Sequence, residues 1–299
     1  MTNIELSQPL ETKPRFFYGY TMVILCFLIM MVAFGLMDSF GVFVKPLLGE
    51  FGWTRATTSA AYSLSFLIFG FVGIVMGGLT DRFGPRVVLT LCGLCLGLGY
   101  ILMSQVNSLW QLYLFEGVIV GIGMSALYAP VLSLIARWFI QRRGLMTGIV
   151  LSGLGIGQLI APPVLSRLIE AYGWRLTYGF IGIAALLVVV IVTQFLKHDP
   201  AKIGLVPYGA SENKQREPQA VIQGYSLREA ASTMQFWVLV ALKFCYGYYM
   251  FSIVIHIVPH VTDLGISLIS AANILAIGGA AMVIGSFVLG RRFKSSRCH

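Results

Sequence analysis

Long apolar stretches recur along this 299-residue chain, and they exclude an ordinary water-soluble fold. Hydrophobic residues make up 57% of the chain and charged residues only 11%, whereas about a quarter of a soluble domain is charged. A helix crosses the roughly 30 Å hydrocarbon layer of a bilayer in about 20 residues, which matches these stretches. The sequence therefore predicts an all-α polytopic membrane protein whose eight spans lie near residues 18–44, 56–79, 86–105, 110–138, 145–171, 176–196, 235–259 and 268–290.

Lys and Arg residues are divided unequally between the two ends of these spans. Sixteen fall on one side and four on the other, while Lys243 lies inside a span. Because cytoplasmic loops carry an excess of Lys and Arg, this asymmetry predicts that both termini are cytoplasmic. We expect a multi-pass protein of the plasma (inner) membrane, surrounded by the lipid bilayer.

One long polar segment, 198–233, separates the first six spans from the last two. It is rich in charged residues and contains three prolines, which is typical of a surface linker. The predicted parts are a cytoplasmic tail at 1–17, a six-helix bundle at 18–197, the cytoplasmic linker at 198–233, two further helices at 234–291 and a basic tail at 292–299.

Several function classes find no support in the sequence. The net charge of +9 does not indicate nucleic-acid binding, because the basic residues form short clusters between apolar runs instead of one soluble face. The cysteines that fall inside apolar runs are expected to form neither disulfides nor zinc sites. The sequence shows no phosphate-binding loop, nucleophile elbow or acidic metal site, so we expect no cofactor, and a polytopic membrane enzyme is the weaker alternative.

Small residues recur four positions apart in two spans, a pattern that lets helix backbones approach closely. The two stripes are Gly117, Gly121, Ser125 and Ala129 in the fourth span, and Gly153, Gly157 and Ala161 in the fifth. Such stripes serve either static helix packing or a moving interface.

The first two spans resemble the last two. Residues 50–77 align without a gap to residues 263–290, so that Glu50-Phe51-Gly52-Trp53 meets Asp263-Leu264-Gly265-Ile266. Transporter folds are often built from repeats, and this repeat indicates that the seventh span opens a second six-helix half. After Gly290 the second copy diverges, with Lys294 in place of Asp81, and we therefore expect a chain truncated after its eighth span.

A short signature follows the second span: Gly77, Asp81, Arg82, Gly84 and Arg86. It resembles the cytoplasmic loop motif of the major facilitator superfamily, and it lies on the predicted cytoplasmic side. The resemblance implies the major facilitator fold, with a complete first bundle and two helices of the second. It also implies that these residues latch one conformational state, with Arg142 or Arg143 as possible partners of Asp81. A solvated loop ion pair between Asp81 and Arg82 is the simpler alternative.

Further segments resemble the monocarboxylate transporter and oxalate/formate antiporter branch of that superfamily. They are Tyr18-Gly19-Tyr20, Ser39-Phe40-Gly41-Val42-Phe43, Phe51-Gly52-Trp53-Thr54-Arg55-Ala56 and His256-Ile257-Val258-Pro259-His260. The resemblance implies a secondary transporter that carries a small organic anion, such as a monocarboxylate, by alternating access with proton coupling or exchange for a counter-substrate. Two positions depart from the branch, because Asp38 and Ser286 stand where its members commonly hold a basic residue.

A non-transporting fragment of such a transporter is the alternative to an active one. We expect no coupled uptake by the chain alone in liposomes unless the missing helices are supplied.

Ionisable side chains inside the spans are the first candidates for transport, since such groups are costly in hydrocarbon and usually face a cavity or a partner. Asp38 is a candidate proton-coupling acid or a paired structural acid. Glu116 is a second proton site or an interhelical hydrogen-bond partner. His256 suits proton exchange unless it bonds a backbone carbonyl, and Lys243 either supplies positive charge to the site or extends to the membrane surface. Four uncharged residues could line the cavity as hydrogen-bond donors to the substrate: Tyr62, Tyr128, Gln158 and Asn273.

Overall fold

The computed structural model describes residues 17–198, 200, 206, 208 and 227–292, with the side chains of 227, 228, 251 and 286–292 left out. Its elements are α1 (Tyr18–Asp38), α2 (Phe40–Phe51), α3 (Arg55–Phe83), α4 (Pro85–Met103), α5 (Leu109–Leu112), a π-helix (Tyr113–Val120), α6 (Gly121–Met124), α7 (Ala129–Trp138), α8 (Arg143–Gln194), α9 (Leu227–Ala231), α10 (Met234–Asp263) and α11 (Leu268–Arg292). The predicted all-α fold is confirmed for this part of the chain.

Seven helical stretches of the described residues are long and apolar enough to cross a membrane. The longest, α8, has 52 residues and would measure about 78 Å, more than twice the thickness of a hydrocarbon layer. Gly173 interrupts it with φ 80° and ψ 162°, a backbone conformation that an L side chain rarely adopts. Since this break divides α8 into arms at 143–172 and 174–194, the seven stretches supply the eight predicted crossings.

Two spans are less regular than the sequence predicts. The first continues past residue 44, because α2 carries the chain on to Phe51 after a break at Ser39, whose hydroxyl donates to the carbonyl of Gly35 at 2.6 Å. The fourth contains the π-helix Tyr113–Val120 between two short α-helical segments. Wide turns of this kind occur frequently at functional sites.

The first bundle packs around α8, which lies against both α1 and α4. Gly157 of α8 meets the backbone of Gly35 in α1 so closely that a methyl group at position 35 would come within 2.9 Å of the Gly157 carbonyl. In the fourth span, Gly121 lies against the backbone of Ser65 in α3. Both small-residue stripes therefore take part in close helix packing within the first bundle.

The last two helices lie against the first bundle on two sides. Helix α11 runs along α8, where Gly279 and Gly155 bring the two backbones into contact. Helix α10 packs against α2, and the carbonyls of Val254 and Ile255 face Gly41. The contacts of α11 use a different face of α8 from those of α1, since Gly155 lies between Gly153 and Gly157 in sequence.

Tyr208 of the predicted linker is attached to the first bundle. The amide of Tyr208 donates to the carbonyl of Trp138 at 3.0 Å, and its carbonyl accepts from the amide of Ile140 at 3.1 Å. Its ring packs near Phe139, and the guanidinium of Arg142 lies 5.7 Å from the ring centroid. The remaining boundaries of the linker and of the tails stay predictions, because most of those residues lie outside the described ranges.

Candidate functional site

An open cleft of about 410 Å³ runs along α10, which supplies seven of its eight lining residues, with one residue of α3 beside them. Its lining comprises Ser63, Lys243, Phe244, Gly247, Tyr248, Ser252, Ile255 and His256. Lys243 and His256, which the sequence suggested separately, therefore line the same cleft, thirteen residues or about 20 Å apart along α10. The volume is in the range of small-molecule pockets.

The polar groups of this cleft suit an anion. Lys243 contributes an ammonium group, His256 an imidazole, and Ser63 and Ser252 hydroxyls, all of which can donate hydrogen bonds to a carboxylate. The side chain of Lys243 is exposed, and its Nζ lies 5.6 Å from the ring centroid of Tyr246 on the same helix. A hydrogen bond from the Lys243 ammonium group to a carboxylate is charge-assisted, and such bonds are stronger than those between neutral groups.

A second group of polar side chains lies inside the first bundle. We call it the carboxyl–tyrosine cluster; it consists of Asp38, Tyr62, Tyr100, Glu116 and Tyr178. Tyr62 interacts electrostatically with Asp38, Glu116 and Tyr100, and Tyr178 interacts with Glu116 and Tyr100. The five residues come from five different elements, which explains why their proximity is invisible in the sequence.

The cluster is enclosed, and most of its polar atoms lack partners. Glu116 is 1% exposed and the three tyrosines at most 2%, whereas Asp38 is partly exposed. No hydrogen-bond partner among the described residues reaches Glu116 Oε2 or the hydroxyl groups of Tyr62, Tyr100 and Tyr178. An unpaired buried polar group is costly, so a native structure normally supplies it with a partner, often an ordered water.

Aromatic packing holds the cluster in place. Tyr62 stacks on Phe40 of α2 with 5.0 Å between ring centroids, and Tyr178 stacks on Phe43 with 4.0 Å. Both partner rings belong to α2, so α2 packs against the cluster.

The other predicted cavity residues are dispersed. Tyr128 packs its ring on Phe34 at 5.7 Å and interacts electrostatically with Tyr246 of α10. Gln158 is buried where α8 meets α11, and Asn273 is exposed on α11. These three residues do not belong to the lining of the cleft that the described residues form.

The signature after the second span forms an ion pair, but with a different partner from those suggested. Asp81 accepts a hydrogen bond from Arg137 at 2.9 Å, and not from Arg142 or Arg143. Arg137 lies in the last turn of α7, next to the end of α3, whereas Arg142 has a left-handed φ of 60° and extends over Tyr208. Because the backbone after α7 directs Arg142 towards Tyr208, Arg137 is the arginine that pairs with Asp81.

The other signature residues shape the same end of the bundle. Arg86 donates to the side-chain oxygen of Gln194 from Nε at 3.0 Å and from a terminal nitrogen at 2.7 Å, which ties α4 to the end of α8. Gly84 has φ 84° between α3 and α4, so this joint favours glycine. Arg82 lies over the ring of Phe83 at 5.4 Å, and Gly77 has open space around its α-carbon.

Two further ion pairs form at the opposite end of the spans. Glu50 accepts hydrogen bonds from Arg175 at 2.8 Å and from the indole of Trp174 at 2.6 Å. Arg55, at the start of α3, pairs with Asp263, at the end of α10. Glu50 and Asp263 are equivalent positions of the internal repeat, and that equivalence was the one sequence signal that could have pointed to both.

The fold and its buried ionisable groups define an integral, multi-pass membrane protein. The chain belongs to the Major Facilitator Superfamily, whose family model matches residues 23–297. This confirms the family that the signature after the second span suggested.

Curated relatives support the predicted branch. The chain is 27% identical to monocarboxylate transporter 13 of Rattus norvegicus over 286 residues, which cover 91% of this chain and 60% of the relative. It is 25% identical to the oxalate:formate antiporter of Oxalobacter formigenes over 266 residues, covering 88% and 59%. An uncharacterised transporter of the same type from Escherichia coli (strain K12) is 29% identical over 238 residues, covering 78% and 56%. The chain thus spans about 60% of the length of these relatives.

Proposed function

We propose that this chain forms part of a secondary transporter that moves a small organic anion, such as a monocarboxylate, by alternating access. In this proposal, residues 18–197 form the first bundle, residues 234–291 begin the second, and the cleft along α10 binds the solute. Transport is coupled to a proton or exchanged for a counter-substrate. The termini and the 198–233 linker are cytoplasmic, the protein resides in the plasma (inner) membrane, and it is not an enzyme.

The observation that carries the proposal is the presence of the Lys243 ammonium group in an open cleft at the boundary between the two groups of helices. Asp38 stands where the branch commonly has a basic residue, and the side chain of Ser286, at the other such position, lies outside the described residues. Lys243 therefore provides the positive charge that a carboxylate needs, from a different position. The relatives named for monocarboxylates, oxalate and formate support this class of solute.

Binding is tested with the purified chain in lipid nanodiscs, by calorimetric titration with formate, lactate and oxalate. We expect Lys243→Ala to weaken binding at least about tenfold, since removing a charge-assisted hydrogen bond costs on the order of 1.5–3 kcal/mol. Lys45→Ala is the matched control, because Lys45 is an exposed lysine of α2 outside the cleft. Equal binding by Lys243→Ala and the unchanged chain, or equal binding of a neutral sugar, contradicts the proposal.

Coupling is tested in proteoliposomes that contain this chain together with a separately expressed segment supplying the later helices of a relative. If transport is coupled to protons, an inward proton gradient should accelerate uptake of the anion that binds. If the solutes exchange, a second anion loaded inside the proteoliposomes should accelerate it. Uptake that responds to neither condition contradicts coupled transport.

A further inference from the structure

The carboxyl–tyrosine cluster is separate from the solute cleft but lies next to it. Ser63 lines the cleft and Tyr62, the preceding residue of α3, lies in the cluster. Successive residues of a helix point about 100° apart, so α3 divides the two sites. The cleft is open, whereas Glu116 and the three tyrosines are almost fully enclosed.

The polar side-chain atoms of the cluster are all oxygen atoms. Glu116 interacts electrostatically with Tyr62 of α3, Tyr100 of α4 and Tyr178 of the second arm of α8. Asp38 of α1 interacts in the same way with Tyr62 and Tyr100. No Lys, Arg or His of the described residues forms an ion pair with Asp38 or Glu116. Two carboxylates without a cation are strongly disfavoured in the interior of a membrane protein, so the cluster requires positive charge from elsewhere.

The enclosed part of the cluster contains several unpaired polar atoms. Four enclosed oxygen atoms lack partners: Glu116 Oε2 and the hydroxyls of Tyr62, Tyr100 and Tyr178. A buried water needs two to four polar partners, and the set has that number of oxygen atoms. The ring centroids of two of its members, Tyr100 and Tyr178, lie 6.3 Å apart. The π-helix that carries Glu116 is a further departure from regular structure at the same place.

We propose that Glu116 and the hydroxyls of Tyr62, Tyr100 and Tyr178 form an enclosed, water-bridged proton-binding site, to which Asp38 gives access. The carboxylic acid of Asp38 releases its proton through the bridging water or the Tyr62 hydroxyl to the Glu116 carboxylate. Asp38 then remains as a carboxylate and Glu116 as a neutral acid. The assignment of this proton as the coupled one rests on the proposed function; the proton site itself does not.

The site is tested by infrared difference spectroscopy of the purified chain in lipid nanodiscs, titrated with pH in the absence of any solute. We expect a carbonyl band of a protonated carboxylic acid that Glu116→Gln removes. Tyr100→Phe should shift the frequency of that band, because it removes one hydroxyl next to the acid. Asp38→Asn should retain the band while slowing its response to a pH jump at least several-fold.

Glu170→Gln is the control, because Glu170 is an exposed acid outside the cluster and its loss should change none of these readouts. Circular dichroism of each variant checks that it is folded, and the frequency shift in Tyr100→Phe provides a readout if Glu116→Gln does not fold. A carbonyl spectrum that folded Glu116→Gln leaves unchanged, or that Tyr100→Phe leaves unshifted, overturns the proposal. Loss of the band on adding Na⁺ at constant pH also overturns it, in favour of a metal cation.

The result is independent of the solute. If the chain binds no carboxylate but shows the titrating Glu116 band, the proposed solute fails and the proton site stands. If the anion binds but the band is absent, the proton site fails and the proposed solute stands.

Discussion

The pair between Asp81 and Arg137 is largely exposed, with 72% and 41% of the respective side chains accessible. Exposed ion pairs contribute about 0–1 kcal/mol to the free energy of unfolding, so this pair adds little to stability. Glu50 at the opposite end differs, because it accepts hydrogen bonds from both Trp174 and Arg175 and joins α2 to the second arm of α8. The latch role that the family resemblance implies for Asp81 stays a prediction.

We predict a specific coupling between Asp81 and Arg137. In a double-mutant cycle with Asp81→Asn and Arg137→Ala, thermal unfolding in nanodiscs should give a coupling of about 0.5 kcal/mol. The same cycle with Arg143→Ala should give a coupling near zero, because Arg143 does not pair with Asp81. A larger coupling to Arg143 than to Arg137 contradicts the pairing seen here.

The contact between α11 and α8 depends on the absence of side chains. A methyl group at position 279 would come within 2.6 Å of the backbone nitrogen of Leu159, and closer still to the carbonyl of Gly155. Backbone atoms of a helix cannot move aside as a flexible side chain can. At the neighbouring Gly278, by contrast, a methyl group would meet no atom within 4 Å.

We predict that Gly279→Ala separates α11 from α8 and lowers the free energy of unfolding by about 1–3 kcal/mol, the usual cost of overpacking. Gly278→Ala is the matched control; it should be neutral or stabilising, since alanine favours a helix over glycine by about 1 kcal/mol. Thermal unfolding of both variants in nanodiscs provides the measurement. Equal melting temperatures of the two variants would contradict the close approach of these helices.

Across the molecule, one ion pair links the first bundle to α10. Arg55 begins α3 and Asp263 ends α10, and Arg55 also donates to the carbonyl of Pro259 at 3.5 Å. The pair lies at the same end as Glu50 and Arg175, opposite the signature after the second span. Ser63 of the cleft follows Arg55 by about two turns, and His256 precedes Asp263 by about two turns. The pair therefore holds the ends of α3 and α10 together beside the cleft.

We predict a direct coupling between Arg55 and Asp263. In a double-mutant cycle with Arg55→Ala and Asp263→Asn, thermal unfolding in nanodiscs should give a coupling of about 0.5 kcal/mol, because both side chains are partly exposed. The same cycle with Arg167→Ala in place of Arg55→Ala should give a coupling near zero, because Arg167 is an exposed arginine predicted on the same side. Equal coupling of Asp263 to both arginines contradicts the pairing.

Helix positions were largely predictable from the sequence, and the cluster only in part. The second predicted span, 56–79, corresponds to α3, Arg55–Phe83, because an apolar stretch of this length has no other stable form in a bilayer. Asp38 and Glu116 were recognisable because charged groups are rare inside spans. Tyr100 and Tyr178 were not, since a tyrosine within an apolar run cannot be told from ordinary packing without knowledge of its neighbours.

Local chemistry was sufficient to establish the membrane-spanning helices, the Gly84 joint and the family signature, because hydrophobic length, glycine geometry and motif spacing act over short distances along the chain. Three features required the folded structure: the pairing of Asp81 with Arg137, the shared cleft of Lys243 and His256, and the meeting of five helical elements in the carboxyl–tyrosine cluster. Each of these depends on how helices are rotated and placed against one another, and that arrangement results from packing between residues far apart in the sequence.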